Sequence, residues 1–156
     1  MPGGKTHELI NITTLVSILT VVYYLSTWPE TGAFARHPDI NEVIAFSVSY
    51  IFATFYLSPD LDTKSRPYKR WKMLRILWWP YRIIFKHRGF SHNMILGPLT
   101  ILLYLTVIVL ALLLLSGVGL QNIPIRIVIA ATTGIVLSVE IHIISDRFFS
   151  KVKSIL

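Results

Sequence analysis

The sequence predicts an all-α protein, an integral membrane bundle of four transmembrane helices with one interfacial amphipathic helix, built by residues 1–156 as a single domain. Three observations predict this fold class. Hydrophobic residues make up 53% of the chain and charged residues 15%, and the mean hydropathy is +0.60. These values differ from the averages of soluble proteins in the direction of membrane proteins. Four apolar runs follow one another along the chain. The Lys and Arg residues stand between or beside these runs, as membrane topology favours.

The first two apolar runs predict the first two spans. The run 9–26 has no charge, is about long enough to cross a bilayer, and lacks the features of a cleavable signal peptide. A loop containing Pro and Gly residues follows at 28–41, where Asn41 is expected to cap the next helix. The second run, 42–57, is short for a span and stops at Pro59.

The segment 58–93 separates the second and third runs and holds nine of the fifteen Lys and Arg residues. Its part 68–85 mixes cations with Trp and Tyr, a pattern that predicts a helix in the headgroup layer, kinked or broken at Pro80. Membrane lipids with anionic headgroups are its expected partners. Basic and aromatic residues also stack on nucleic acid, but the flanking spans already explain the pattern, so we expect no nucleic-acid partner.

The last two runs, 94–116 and 125–145, complete the predicted bundle, with Ser91 expected to cap the third helix. Four spans place both termini and the segment 58–93 on one side of the membrane. That side carries thirteen of the fifteen Lys and Arg residues, and only Arg36 and Arg126 fall opposite. The positive-inside rule therefore predicts a multi-pass protein of the cell membrane with both termini in the cytoplasm.

Potential metal ligands occur at the cytoplasmic end of every predicted span. His and Asp suit hard to borderline metal ions, and the candidates are His7, Asp60, Asp62, His92, His142 and Asp146. Each motif alone has a structural explanation, such as a turn rich in Asp or a solvated helix start. Their convergence on one membrane face instead indicates a metal site between helices. The pair His142 and Asp146 shares one helical face, and ionisable groups within a membrane helix are costly and usually functional.

An N-terminal His, the motifs SPDLD and HRGFSHN, and a late H-x-x-x-D together resemble the membrane-bound metal-binding proteins of unknown function. That family is similar to a wider group of predicted membrane-bound metal-dependent hydrolases. The resemblance covers nearly the whole chain and implies a helical membrane protein whose divalent metal site uses the six candidate ligands. Similarity to the helical, zinc-dependent phospholipase C folds implies a phosphoester substrate.

These residues suggest a hydrolase at the cytoplasmic membrane face, dependent on Zn, Mn or Fe, with a phosphoester or phospholipid-like substrate. Six nitrogen and oxygen ligands exceed the four of a closed zinc site. Two ions about 3.5–4 Å apart would use them economically, with Asp60 or Asp62 as the expected bridge. The interfacial helix would keep the site at the headgroups, so the expected substrate is a lipid or another amphiphile.

Four further residues are candidates for catalysis. Glu8 or Glu140 is expected to act as the general base. Arg88, with His87, is expected to hold the phosphate ahead of the third helix, whose N-terminus also favours anions.

Two alternatives to a hydrolase remain, a non-catalytic metal-binding membrane protein and a divalent-cation transporter. Transport is less favoured, because only one ionisable pair lies inside a span and no polar path crosses to the other face. An intramembrane metalloprotease would carry an H-E-x-x-H helix, and His7-Glu8 is followed by Leu9, Ile10 and Asn11 instead.

Overall fold

The computed structural model describes residues 3–27, 38–85, 92–117 and 123–155, and these residues form helices and no strands. The helices are α1 (Gly4–Thr27), α2 (Ile40–Tyr56), α3 (Arg66–Arg70), α4 (Trp79–Ile84), α5 (Leu96–Ser116) and α6 (Ile125–Ile155), with 3₁₀ segments at Pro59–Asp62 and Lys72–Trp78. Four stretches are long and apolar enough to cross a membrane, namely Gly4–Thr27, Ile40–Asp62, Leu96–Ser116 and Ile125–Ser154. The predicted all-α class with four potential spans is confirmed.

Helices α2 and α6 make the most extensive contact of the bundle, while α1 packs on both and α5 packs on α6. Gly134 lies at the crossing of α2 and α6. A Cβ atom added there would meet the side chain of Ser49 and would lie 2.5 Å from the carbonyl oxygen of Phe46. Small residues let helix backbones approach closely, which is how helices gain van der Waals contact without a hydrophobic driving force between them. Gly134 therefore sets the separation of the two central helices.

Buried side-chain hydrogen bonds connect three of the helices. The hydroxyl of Tyr50 donates to Asn11, whose Oδ1 and backbone oxygen lie 3.0 and 3.1 Å away, and this bond joins α2 to α1. The hydroxyls of Thr54 and Ser138 lie 2.9 Å apart and join α2 to α6. Because buried polar groups are costly when unsatisfied, these pairs fix the rotation of each helix about its axis.

Side-chain caps start both α2 and the 3₁₀ segment that follows it. Asp39 is the N-cap, and its own N–H donates to Glu42 Oε2 at 3.2 Å, completing a capping box. The expectation that Asn41 caps this helix is wrong: Asn41 lies in the first turn, where its N–H donates to Asp39. After α2, Ser58 Oγ accepts from the N–H of Asp60 at 3.2 Å and starts the 3₁₀ segment.

The segment expected to form one interfacial helix consists of α3, a 3₁₀ segment and α4. The chain bends at Lys72, which has a φ of 47°, and again before α4, where Pro80 occupies the first turn. Trp78 is fully buried, with ring centroids 5.3 Å from Trp71 and 5.4 Å from Tyr104. These ring contacts attach the 3₁₀ segment to the bundle.

The start of α5 is capped by Asn93, whose Oδ1 accepts from the N–H groups of Ile95 and Leu96 at 2.9 and 3.2 Å. Ser91, the expected cap, lies outside the described residues, and so do His37, His87 and Arg88.

Replacing Gly134 by alanine is expected to destabilise the protein by about 1–3 kcal/mol, because the added methyl overpacks the crossing of α2 and α6. The matched control is Thr133→Ala, one residue away on an exposed part of α6, with an expected change within about 0.5 kcal/mol. Thermal unfolding of both variants in detergent measures the difference. A Gly134→Ala protein as stable as Thr133→Ala would contradict the close approach of the two helices.

Candidate metal centre

Five of the six predicted ligands lie together at one end of the bundle. They come from the start of α1, the 3₁₀ segment after α2, the turn before α5 and the second half of α6. We call them the His–Asp cluster: His7, Asp60, His92, His142 and Asp146. They form two groups, His7–His142–Asp146 and Asp60–His92–Asp146, and within each group the ligand atoms lie within 4.8 Å of one another. The convergence that the sequence predicted is therefore present in the structure.

Asp146 is the residue common to both groups. Its Oδ1 lies 3.1 Å from Nε2 of His7, and its Oδ2 lies 3.5 Å from Nε2 of His92. Asp60 also faces two histidines. Its Oδ1 lies 3.4 Å from Nε2 of His92, and its Oδ2 lies 3.4 Å from Nε2 of His142. Asp60 was one of the two expected bridges, and its role as a bridge stays a prediction.

The orientation of His7 follows from Ser145. The Ser145 hydroxyl donates to the carbonyl oxygen of His142 at 2.8 Å, and it lies 2.7 Å from Nδ1 of His7. When that hydroxyl proton lies on the carbonyl oxygen, the hydroxyl accepts from His7 and Nδ1 carries the ring hydrogen. Nε2 of His7 then presents its lone pair to the carboxylate of Asp146 at 3.1 Å. A cation bound between these two atoms would be stabilised by both of them.

His142 gives a direct test of whether a metal ion fits. Its Nε2 is buried, and within the described parts of the chain it has no hydrogen-bond partner. The nearest carboxylate oxygens lie 3.4 Å away on Asp60 and 3.7 Å away on Asp146. Its ring stacks on that of His7 with centroids 4.0 Å apart, which holds both rings in place. A buried imidazole nitrogen facing two carboxylates fits a divalent ion bound by nitrogen and oxygen donors.

His92 shows how strongly the cluster attracts positive charge. Contacts with Asp146, and then with Asp60, raise the pKa of His92 from 6.5 to about 9. The cause is stabilisation of the imidazolium by two carboxylates. A divalent ion bound at this nitrogen would displace that proton, so metal binding there would release a proton.

Asp62, the sixth predicted ligand, belongs to neither group. Its carboxylate is buried, and its carbonyl oxygen accepts from Arg82 Nε at 3.4 Å. Burial, and to a lesser degree the nearby charge of Asp62, raises the pKa of Tyr81 to about 12. The structure thus places Asp62 beside Tyr81 and Arg82, and its role as a ligand stays a prediction.

Neither of the two predicted catalytic residues that the structure describes belongs to a ligand group. Glu8 pairs with Arg70 at 2.8 Å and with Arg66 at 3.6 Å, an arrangement that attaches the start of α1 to α3. Glu140 is half-buried on α6 and lies in neither ligand group. His87 and Arg88 lie outside the described residues. Their roles as base and phosphate-binding groups stay predictions.

An open cavity of about 410 Å³ reaches the cluster, and His92 and Asp146 form part of its wall. A larger groove of about 760 Å³ lies between α2 and the start of α6, beside Asp39 and Arg126 and away from the clustered ligands. The smaller cavity gives a solute access to His92 and Asp146.

Sequence reasoning missed the residues that hold the ligands in position. Ser145 supports His7, and Asn11 Nδ2 donates to the carbonyl oxygen of His7 at 3.3 Å. Asn11 lies four residues after His7, and Ser145 lies three residues after His142. Polar residues at these helical spacings from a candidate ligand, within an otherwise apolar helix, are a signal that could have identified them.

Replacing Ser145 by alanine is expected to weaken metal binding by about 10- to 100-fold, because His7 loses the acceptor that sets its tautomer and ring orientation. Ser145→Thr keeps the hydroxyl and should restore most of the affinity. Titration of both metal-free variants with Zn²⁺ measures the difference. Equal affinity of Ser145→Ala and the parent protein would remove Ser145 from the support of the site.

Comparison with known proteins agrees with the ligand geometry. Over 63 residues, the chain is 48% identical to a protein of Aquifex aeolicus (strain VF5) described as an uncharacterized protein. The matched stretch covers 40% of this chain and 45% of that relative. No solved structure matches the chain. The family described as "Uncharacterized metal-binding protein (DUF2227)" matches residues 2–125, which hold three of the clustered ligands and end where α6 begins. The chain therefore belongs to this family of metal-binding proteins.

Proposed function

We propose that the protein is a membrane-embedded hydrolase that depends on a divalent metal and acts on a phosphoester at the cytoplasmic face. The observation that carries the proposal is the open cavity of about 410 Å³ at His92 and Asp146. Structural metal sites are closed by protein ligands, whereas catalytic sites keep a position open to water and substrate. Access from solvent to the ligand atoms is the property that supports catalysis over storage.

The donor set supports Zn, Mn or Fe, since imidazole suits these metals and carboxylate suits the harder ones among them. His7, His142 and Asp146 would hold one ion, and Asp60, His92 and Asp146 would hold a second. A divalent ion at these residues would supply Lewis acidity, lowering the pKa of a water and polarising a phosphoryl oxygen. The shared Asp146 supports the two-ion form of the proposal.

The chain's own residues would orient the reactants and accept the proton. Asp60 is the best-placed acceptor, because its side chain is 34% exposed while that of Asp146 is 9% exposed. With two carboxylate oxygens, Asp60 can hold an ion with one and take a proton from the attacking water with the other. We favour it over Glu8, which already holds two arginines, and over Glu140, which lies in neither group.

The segment between α2 and α5 supports a substrate that comes from the membrane. Met73, Ile76 and Trp79 are largely exposed, and they alternate with the exposed cations Lys72 and Arg75. Exposed apolar and aromatic side chains among cations are typical of protein that lies in the headgroup layer and attracts anionic lipid. The proposed substrate is therefore a lipid or another amphiphile that carries a phosphoester.

A non-catalytic metal-binding protein is the second candidate. The observation in its favour is that His7, His142 and Asp146 are all buried, as the ligands of a storage or structural site are. A divalent-cation transporter would also need polar groups along the bundle towards the opposite face.

Metal content and turnover together test the proposed function. His142→Ala and Asp146→Asn should lose most bound metal, because each removes a buried ligand atom from the cluster. His37→Ala, which changes the one histidine predicted to lie on the opposite membrane face, is the control and should keep it. Purified protein is analysed for metal and then assayed on phosphomonoesters, phosphodiesters and phospholipids. Metal-loaded parent protein that cleaves none of these substrates would favour the non-catalytic candidate.

The proposed orientation has its own test. Lys64 is exposed near the cluster end of the bundle, and Ile123 is exposed before α6 at the opposite end. In cells, a membrane-impermeant thiol reagent added from outside should label Ile123→Cys and spare Lys64→Cys, because the thirteen cations on the cluster side favour the cytoplasm. The reverse pattern would place the site outside the cell. The chain has no native cysteine to interfere with the labelling.

A further inference from the structure

A polar stripe on the last turns of α6 lines the cavity next to His92 and Asp146. We call it the α6 cationic stripe; its residues are Arg147, Ser150, Lys151 and Ser154. At about 100° per residue, these positions and Asp146 fall within a sector of roughly 140° on one side of the helix. One face of α6 therefore carries a metal ligand followed directly by two cations and two hydroxyls.

The stripe extends away from the bundle. A rise of about 1.5 Å per residue places Ser154 roughly 12 Å beyond Asp146 along the helix axis. Arg147, the first cation of the stripe, donates from Nη2 to the carbonyl oxygen of His92 at 3.4 Å, which holds it beside the cluster. Arg147, Ser150, Lys151 and Ser154 are all exposed, so the stripe is open to a solute in the cavity.

This composition selects an anion with several oxygen acceptors. Arg offers a planar fork of donors, Lys offers a compact charge, and the two serine hydroxyls can donate between them. Two positive charges match a phosphomonoester dianion better than a singly charged diester or a carboxylate. The ligand atoms of Asp146 and His92 lie on the same cavity wall, so a phosphate held by the stripe would lie next to the proposed metal ions.

We propose that the α6 cationic stripe is the phosphate-binding subsite of the protein and makes phosphomonoesters its substrate class. This inference rests on the proposed hydrolase function and deepens it. It assigns phosphate recognition to Arg147 and Lys151 on α6, in addition to the Arg88 that the sequence suggested.

Binding of inorganic phosphate to metal-loaded protein in detergent tests the subsite without requiring turnover. Lys151→Gln should weaken phosphate binding by about tenfold or more through loss of a charge-assisted hydrogen bond, while metal content stays unchanged. Arg147→Gln should do the same, although it also removes the bond to His92. Lys153→Gln is the matched control: it removes the same charge from the same helix end, and Lys153 does not line the cavity.

A short-chain lipid phosphate, dihexanoyl phosphatidic acid, distinguishes a membrane source of the phosphate from a soluble one. Tighter binding of this lipid than of inorganic phosphate, with the same loss in Lys151→Gln, supports a lipid phosphomonoester. Equal binding of the two supports a soluble one. Dihexanoylglycerol lacks the phosphate, and its binding should be insensitive to Lys151→Gln.

The outcomes separate this inference from the proposed function. Phosphate affinity unchanged in both Lys151→Gln and Arg147→Gln would overturn the subsite, even if the protein hydrolyses phosphoesters. Phosphate binding that depends on Lys151, in a protein that cleaves no phosphoester, would support the subsite and contradict the hydrolase.

Discussion

The structure depends on the burial of Asp146 among three histidines at one end of a helical bundle. A buried carboxylate is costly unless opposite charge and hydrogen bonds surround it. The Nε2 atoms of His7, His92 and His142 lie 3.1, 3.5 and 3.7 Å from its oxygens, and they come from three separate parts of the chain. The start of α1, the turn before α5 and the second half of α6 must therefore stay together for Asp146 to remain buried.

Contacts between the helices hold together the helix ends that carry the cluster. Gly134 lets α2 and α6 approach closely, and the hydroxyl pair Thr54–Ser138 fixes their rotation. Tyr50 then holds Asn11 and, through it, the turn of α1 that carries His7. Buried polar bonds of this kind cost an apolar bundle little stability as long as every buried polar group is paired. The same bonds that stabilise the fold thus set the positions of the ligands.

The chemistry proposed for the site follows from asymmetry within the cluster. One side, with His7 and His142, is buried, while Asp60 and His92 are more exposed and His92 borders the cavity. The buried side suits stable binding of an ion, and the open side suits exchange of water and substrate. The cationic stripe of α6 continues from the open side towards solvent, so charge changes sign along one cavity wall. Such a wall places a bound anion next to a bound cation.

The sequence by itself determined the four apolar helices, their all-α class and the ligand types at one end of each. Hydrophobic runs and cation placement are local patterns, and they were sufficient because membrane spans are set by length and polarity. Local patterns also identified the five residues that form the cluster, since His and Asp stand out at the ends of apolar runs. The break at Pro80 was predictable for the same reason, whereas the bend at Lys72 depends on aromatic packing against the bundle.

Only the tertiary structure decided how these residues meet. His7 and Ser145 are 138 residues apart, and no local pattern encodes the bond that sets the tautomer of His7. The choice of Asp146 as the shared carboxylate, and the position of Asp62 beside Tyr81 and Arg82, depend on the rotation of α6 and of the 3₁₀ segment. Glu8 was read as a base from its place beside His7, but contact with α3 gives it two arginine partners. Composition places ligand types at the ends of the apolar helices, and packing between distant helices selects which of their atoms face one another.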